Sequence, residues 1–323
     1  MNKSIAIIAG EPNSISSEII FKSWKLRKSF AHKPFFIIGS IDLLELQKKK
    51  LKYNIKIKEI KKNFTYKDLV GNAIPVLNVE YNQAKAFQKI SNKSNSYILK
   101  SFNIAISLYK DRKIIGFINC PIAKESLFKN KYQGVTEFLS KKNNSYGSEV
   151  MLLYNKKLSV VPLTTHIPLK KISYEIKKIK IHKKIKTINL FYKKIFKKNP
   201  KIAILGLNPH NFSPQKNHEE KTIISPAIKK AKNLKIKIQG PLSPDTSFML
   251  HKKNKIDVMV GLYHDQVLTP FKALFNYDAI NITLGLPYIR ISPDHGVAKN
   301  ILGKKIANPL SLIKSITFFN NIK

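Results

Sequence analysis

Short runs of β-branched and apolar residues alternate with longer, amphipathic, lysine-bearing segments from one end of the chain to the other. That rhythm leaves few folds open. Strands buried on both faces, each followed by a segment long enough to cross back over them, make a mostly parallel sheet covered by helices, and the class is α/β. Strands are expected at Ser4–Ala9, Phe35–Gly39, Ile114–Asn119, Ser159–Leu163, Lys201–Gly206 and Ile256–Leu262. Helices are expected over Ser16–Ser29, Asn82–Lys110, Lys170–Phe196 and Ser225–Leu234. No internal repeat, Gly/Ser linker or low-complexity tail divides the sequence, so a second domain has to be woven into the first by crossing connections. The expected division is 1–115 with 275–323, and 116–274.

With 323 residues and 43% hydrophobic content, the chain can bury a core large enough for two modest domains. No apolar run approaches the roughly 18 residues that cross a bilayer, and Ile5-Ala6-Ile7-Ile8 stops at Gly10-Glu11, too soon for a signal peptide. A cytoplasmic enzyme, not a membrane protein, is the expectation. The one cysteine, Cys120, follows the apolar run Ile114–Ile118 and reads as a buried, inert thiol. The chain is strongly basic: 59 Lys and Arg against 19 Asp and Glu give a formal charge of +40. Its lysines are spread throughout, as in Lys170-Lys171, Lys183-Lys184 and Lys197-Lys198, rather than gathered in one arm or interleaved with aromatic platforms. This pattern describes a solvated surface better than a specific nucleic-acid site. Such a surface attracts anionic substrates and, weakly and without sequence preference, RNA, and both effects fade as salt rises.

Three of the eight histidines share one context, directly after a run expected to be a buried strand. They are His166 after Val160–Leu163, His210 after Ile202–Gly206, and His264 after Val258–Leu262. In open α/β sheets ligands bind beyond the carboxyl ends of the strands, so residues far apart in sequence can meet at one rim. Three neutral imidazoles there suit Zn²⁺ or a similar divalent ion and leave coordination positions open to substrate oxygens. The competing reading is that each histidine merely satisfies loop backbone. His32, His182, His218 and His251 lie in polar, lysine-bearing stretches and are expected at the surface, whereas His295 sits in a compact Asp294-His295-Gly296 turn. Lys124, Thr136, Lys272, Asn281 and Arg290 are the cations and short donors that a phosphate and a carboxylate demand. No Walker loop and no Gly-x-Gly-x-x-Gly follows a strand, which leaves P-loop and ordinary Rossmann nucleotide binding unsupported.

Taken in order, the segments form a wider pattern. Gly10-Glu11-Pro12, Gly134–Phe138, Thr164-Thr165-His166-Ile167-Pro168-Leu169 and Gly206-Leu207-Asn208-Pro209-His210 make up its first half. Gly240-Pro241-Leu242 with Asp245-Thr246, Tyr263-His264-Asp265-Gln266, and Asn281–Pro287 running to Arg290 and Asp294-His295-Gly296 complete it. Across nearly its whole length the chain resembles the 4-hydroxythreonine-4-phosphate dehydrogenase family of vitamin B6 synthesis. The resemblance implies a fold like the isocitrate and isopropylmalate dehydrogenases, with two interwoven α/β/α domains, an inter-domain cleft and a homodimer whose partners share each active site. The 1–115 plus 275–323 part would be the cofactor side, and 116–274 the metal, substrate and dimerisation side. The resemblance also implies one divalent metal on His166, His210 and His264, with Zn²⁺ first and Mg²⁺ or Co²⁺ as alternatives. Thr136, Lys272, Asn281 and Arg290 would hold the small phosphorylated substrate, and Asp294, His295 and Gly296 would lie by NAD or NADP. Lys272 or Asp245 would donate the proton that follows decarboxylation.

The chain departs from the family pattern at several points. Val135 stands where the family has the histidine of Gly-His-Thr-Glu, which removes a substrate contact. Ser14, Ser16 and Val267 replace glycines, and Asn211-Phe212-Ser213 replaces a glycine-bearing stretch. Such losses are expected to reshape loops, because glycine permits positive φ and close backbone approach. Val135 keeps open a sister activity on a threonate or erythronate phosphate.

Overall fold

The computed structural model describes residues 4–322 except 130, 131, 133, 146, 215 and 277. The chain forms two compact units, Met1–Gly134 with Tyr288–Lys323, and Val135–Pro287. The first contains β1 (Ser4–Ile8), α1 (Ser16–Leu26), β2 (Phe35–Gly39), α2 (Ile41–Lys50), β3 (Ile57–Ile60), α3 (Tyr66–Leu69), β4 (Ile74–Asn78), α4 (Asn95–Lys110), β5 (Ile114–Asn119) and α5 (Lys124–Phe128). The second contains α6 (Val135–Lys142), β6 (Val150–Tyr154), β7 (Ser159–Pro162), α7 (Ile172–Lys178), α8 (Ile181–Phe196), β8 (Ile202–Leu205), α9 (Ser225–Asn233), β9 (Ile238–Leu242), α10 (Pro244–Leu250), β10 (Val258–Gly261), α11 (His264–Phe275) and β11 (Ile280–Leu284). The chain then returns to the first unit with β12 (Ile289–Pro293) and α12 (Leu310–Asn320).

In the first unit the strand order is β3-β4-β2-β1-β5-β12, with every adjacent pair parallel. The residues of β1 and β2 are buried throughout, as the continuous apolar runs demand of central parallel strands. In the second unit the order is β11-β6-β7-β10-β8-β9. There β6 runs antiparallel to both neighbours, while β7, β10, β8 and β9 are mutually parallel. The α/β class and the mostly parallel sheets are as the sequence indicates.

The division falls later than expected at both crossings. β5 pairs with both β1 and β12, so the first unit cannot end before it. β11 pairs along its length with β6, which keeps the return strand from starting at 275. Two expected helices are also shorter. Residues 82–94 of the expected Asn82–Lys110 helix lie outside α4, as an irregular stretch ending in a 3-10 turn at Asn92–Ser94, because tertiary bonds outcompete local propensity: Asn13 Oδ1 accepts from the Gln88 amide (2.7 Å) and Gln47 Nε2 donates to the Ala86 carbonyl (2.9 Å). The Lys170–Phe196 segment breaks at Ile179, where ψ is 125°, giving α7 and α8.

Candidate active site

β10 lies between β7 and β8 and is parallel to both, so the loops after these three strands open on one rim of the second unit. His166 follows β7, His210 follows β8, and His264 is the first residue of α11 after β10. His166 and His264 come together with ring centres 5.7 Å apart and planes tilted by 41°. They line an open cavity of about 210 Å³ with Thr165, Ile167, Leu169, Ile172, Tyr263 and Asp265. Asp265 Oδ1 accepts a hydrogen bond from His264 Nδ1 at 2.6 Å. This bond fixes the tautomer and leaves Nε2 as the nitrogen able to bind a cation, with a carboxylate behind it. Two imidazoles bound to one ion at about 2.0–2.1 Å per nitrogen place their ring centres at a separation of this order, so the spacing of the pair is one that a shared divalent ion allows.

His210 is placed differently. It lies in a short 3-10 turn with φ 52° and ψ 20°, and the next residue, Asn211, is also left-handed at φ 59°. Its exposed side chain approaches Asp245, with Nδ1 3.6 Å from Oδ2. Among the described residues no group of three or more His, Cys, Asp or Glu stands close enough to hold a metal. The rim thus joins His166 to His264 and leaves His210 with Asp245 at the start of α10. The Ser243 hydroxyl donates to Asp245 Oδ1 (2.7 Å), and with the Thr246 amide and the nearby His210 it holds this carboxyl below its ordinary value. Asp245 is thus held beside His210 as a hydrogen-bond acceptor for Ser243 and Thr246.

The loops are braced from below. Gln266, on the first turn of α11, accepts from the Leu262 amide and donates to the Gly206 carbonyl, both at 2.7 Å, and so ties the His264 loop to the His210 loop. Lys272 is exposed on the same helix, eight residues or about 12 Å of rise from His264. Thr136, second residue of α6, shares a 3.1 Å hydrogen bond with Thr283 of β11. Asn281 lies two residues earlier on that strand and so on the same face, and its Oδ1 is buried without a partner. An unsatisfied buried acceptor beside two hydroxyls is a place for a ligand's donor. Thr283 was not singled out from the sequence; the two-residue spacing in Asn281-Ile282-Thr283 is the signal that could have found it. Val135 is buried at the start of α6 and offers only methyl groups.

In the first unit Arg290 is buried on β12, with Nε donating to Asn119 Oδ1 at 2.7 Å. The Asp294 amide donates to Ser311 Oγ (2.8 Å), and the turn is open at Gly296, where an added side chain would meet nothing within 4 Å, whereas Asp294 Oδ2 and His295 Nε2 are buried. The Ile15 amide reaches the Val297 carbonyl (3.3 Å), bringing the first loop beside that turn. Glu11 of this loop is buried and accepts from the Asn13 amide and Ser94 Oγ, and burial raises its pKa despite those bonds. Lys124 begins α5 and is exposed.

The lost glycines are accommodated. Neither Ser14 nor Ser16 has positive φ, and their hydroxyls bond each other at 2.7 Å. Val267 is buried with its methyl against Gly261. Cys120 is fully buried and burial pushes its thiol up, as expected of an inert cysteine. His251, expected at the surface, is instead buried beneath α11, with Nδ1 donating to the Phe248 carbonyl at 2.6 Å and the ring against Phe275. His218 is only 20% exposed.

The family model for the pyridoxal phosphate biosynthetic protein PdxA matches residues 31–319. The chain belongs to the PdxA family. It is a dehydrogenase of that family, as the ordered motifs imply. It is 39% identical to the 4-hydroxythreonine-4-phosphate dehydrogenase of Sulfurihydrogenibium sp., over 97% of this chain and 96% of the relative. It is 32% identical, over 97% and 95%, to a protein of Oceanobacillus iheyensis provisionally named D-threonate 4-phosphate dehydrogenase. The crystal structure of a 4-hydroxythreonine-4-phosphate dehydrogenase from Klebsiella pneumoniae matches with a TM-score of 0.84 at 27% identity, over 99% of this chain and 100% of that one.

Proposed function

We propose that this PdxA-family enzyme oxidises the C3 hydroxyl of 4-phosphohydroxy-L-threonine with NAD or NADP, in the cytoplasm. The β-keto acid formed then loses CO₂ to leave 3-amino-2-oxopropyl phosphate. The observation that carries this reading is the His166–His264 pair over its cavity, with Asp265 fixing the His264 tautomer. One divalent ion, Zn²⁺ before Mg²⁺ or Co²⁺, is assigned to His166, His210 and His264. Held there, the ion would supply a Lewis acid for the substrate's C3 oxygen, and NAD or NADP would supply the hydride acceptor. In a homodimer with shared sites, the exposed His210–Asp245 pair is available to complete the site of a second copy.

The chain's own residues do the rest. Asp265 and Asp245 orient imidazoles. Thr136, Lys272, Asn281 and Arg290 are assigned to the substrate, with Asn281 Oδ1 supplying an acceptor that has no protein donor. Lys272 Nζ or Asp245 is assigned as the proton donor to the carbon that CO₂ leaves. Asp294, His295 and Gly296 are assigned to the cofactor, with Gly296 the open point of their turn.

Val135 and the Oceanobacillus relative favour one second reading, a dehydrogenase of D-threonate 4-phosphate. NADH formation with each substrate, with and without a chelator, separates the two. The expected result is NADH from 4-phosphohydroxy-L-threonine that stops with chelator and returns on adding Zn²⁺. NADH from the threonate alone gives the reaction to the second reading, and a rate indifferent to the chelator overturns the metal assignment.

A further inference from the structure

We infer that Glu220 is a positioning residue for the metal site, its buried carboxylate holding the loop after β8 so that His210 is presented in its left-handed conformation. The inference rests on reading His210 as a ligand. Glu220 is 2% exposed and meets four donors. Oε1 accepts from the Leu207 amide (2.8 Å) and the Asn208 amide (2.7 Å), and Oε2 from Asn208 Nδ2 (2.9 Å) and His218 Nδ1 (2.8 Å). Residue 209 is proline and has no amide hydrogen, so Leu207 and Asn208 carry the last backbone donors before His210. Both go to one oxygen of one side chain. Asn208 Nδ2 also reaches Glu219 Oε2 (3.1 Å), and Glu219 Oε1 is bonded by Ser173 Oγ of α7.

Two consecutive non-glycine residues at positive φ are costly and persist only where their surroundings over-determine them. Here the over-determination comes from Glu220 at one end of the loop and from Asn211 at the other, where Nδ2 donates to the Pro241 carbonyl (3.1 Å). Glu220 opens a π-helical turn, Glu220–Ile224, that runs into α9. Such turns occur where a helix is bent to serve a site. Nothing in Glu220's surroundings gives it contact with a reacting atom. It acts through the amides of Leu207 and Asn208, three and two residues ahead of His210, and so at one remove from the ligand side chain.

The test measures Zn²⁺ affinity by equilibrium dialysis and the visible spectrum of Co²⁺-loaded protein, well below the melting temperature, for wild type, Glu220→Ala, Glu220→Gln and His210→Ala. Glu220→Ala is expected to bind the ion about 10–100-fold more weakly and to shift the Co²⁺ spectrum. Glu220→Gln keeps an oxygen that accepts both amides and is expected to recover most of the affinity. Wild-type affinity in Glu220→Ala, alongside weakened His210→Ala, overturns the inference and leaves the metal assignment standing. Wild-type affinity in His210→Ala overturns that assignment itself. If Glu220→Ala does not fold, Glu220→Asp replaces it: its carboxylate is one methylene short of the amides, so unchanged affinity there also overturns the inference.

Discussion

Asp265 and Asp245 each stand beside one of the three candidate ligands, and the difference between them lies in the backbone. Asp265 follows His264 on the first turn of a helix and can bond its Nδ1 directly. Asp245 stands near His210, at 3.6 Å, where residues 210 and 211 are left-handed. Sequence spacing marks all three histidines as rim residues but cannot give the sign of a φ angle, so the His166–His264 pair was legible and the direction of His210 was not. His251 was misjudged for a related reason: its polar neighbours are exposed, and burial beneath Phe275 comes from tertiary packing alone. Glu220 leads to a prediction at this scale. Burial pushes its carboxyl up, but the bonds from Asn208 and His218 outweigh burial and hold it at about 2, against an ordinary 4.5. A depressed folded-state pKa contributes stability that is present above the ordinary value and is lost as pH falls toward the folded one. Denaturant melts between pH 4.5 and 2 are therefore expected to show a shallower loss of stability in Glu220→Gln than in wild type; parallel curves would mean that the carboxylate is not held this way.

Among the elements, the strands recognised from sequence are the predominantly apolar, buried ones, β1, β2, β5, β7, β8 and β10. Six strands were not expected, β3, β4, β6, β9, β11 and β12, and three of them have an identifiable reason: β3 puts Lys58 and Glu59 between Ile57 and Ile60 at a sheet edge, β4 contains Pro75, and β9 contains a Gly240–Pro241 step. Each breaks the apolar run by which a buried strand is recognised. The contact between β10 and α11 offers a test of packing. A Cβ on Gly261 would lie 2.5 Å from Val267 Cγ1, at the position where the family's glycine has been replaced. Gly261→Ala is expected to cost about 1–3 kcal/mol by overpacking, and less when Val267→Gly removes the methyl. A double-mutant cycle by denaturant unfolding reads the coupling, and additive losses would contradict the contact.

For the molecule as a whole, the family was legible because its motifs are short, ordered and spread over both units, whereas the units' limits were not, since pairing of β5 with β12 and of β11 with β6 is a long-range fact. The charge of +40 is a property of the whole surface and acts against compactness through self-repulsion. The melting temperature is therefore expected to rise as NaCl goes from a few millimolar to about 0.15 M, where the screening length falls to about 8 Å; a melting point independent of salt would show that the lysines are spaced too far apart to matter. The path of the chain has a consequence of its own. The second unit is one uninterrupted segment, Val135–Pro287, but the first needs β12 and α12 to finish its sheet. During synthesis the segment made in the middle can therefore close on the ribosome while the one begun first still waits for its last strand, leaving the exposed edge of β5 as the surface that nascent chains must protect from one another.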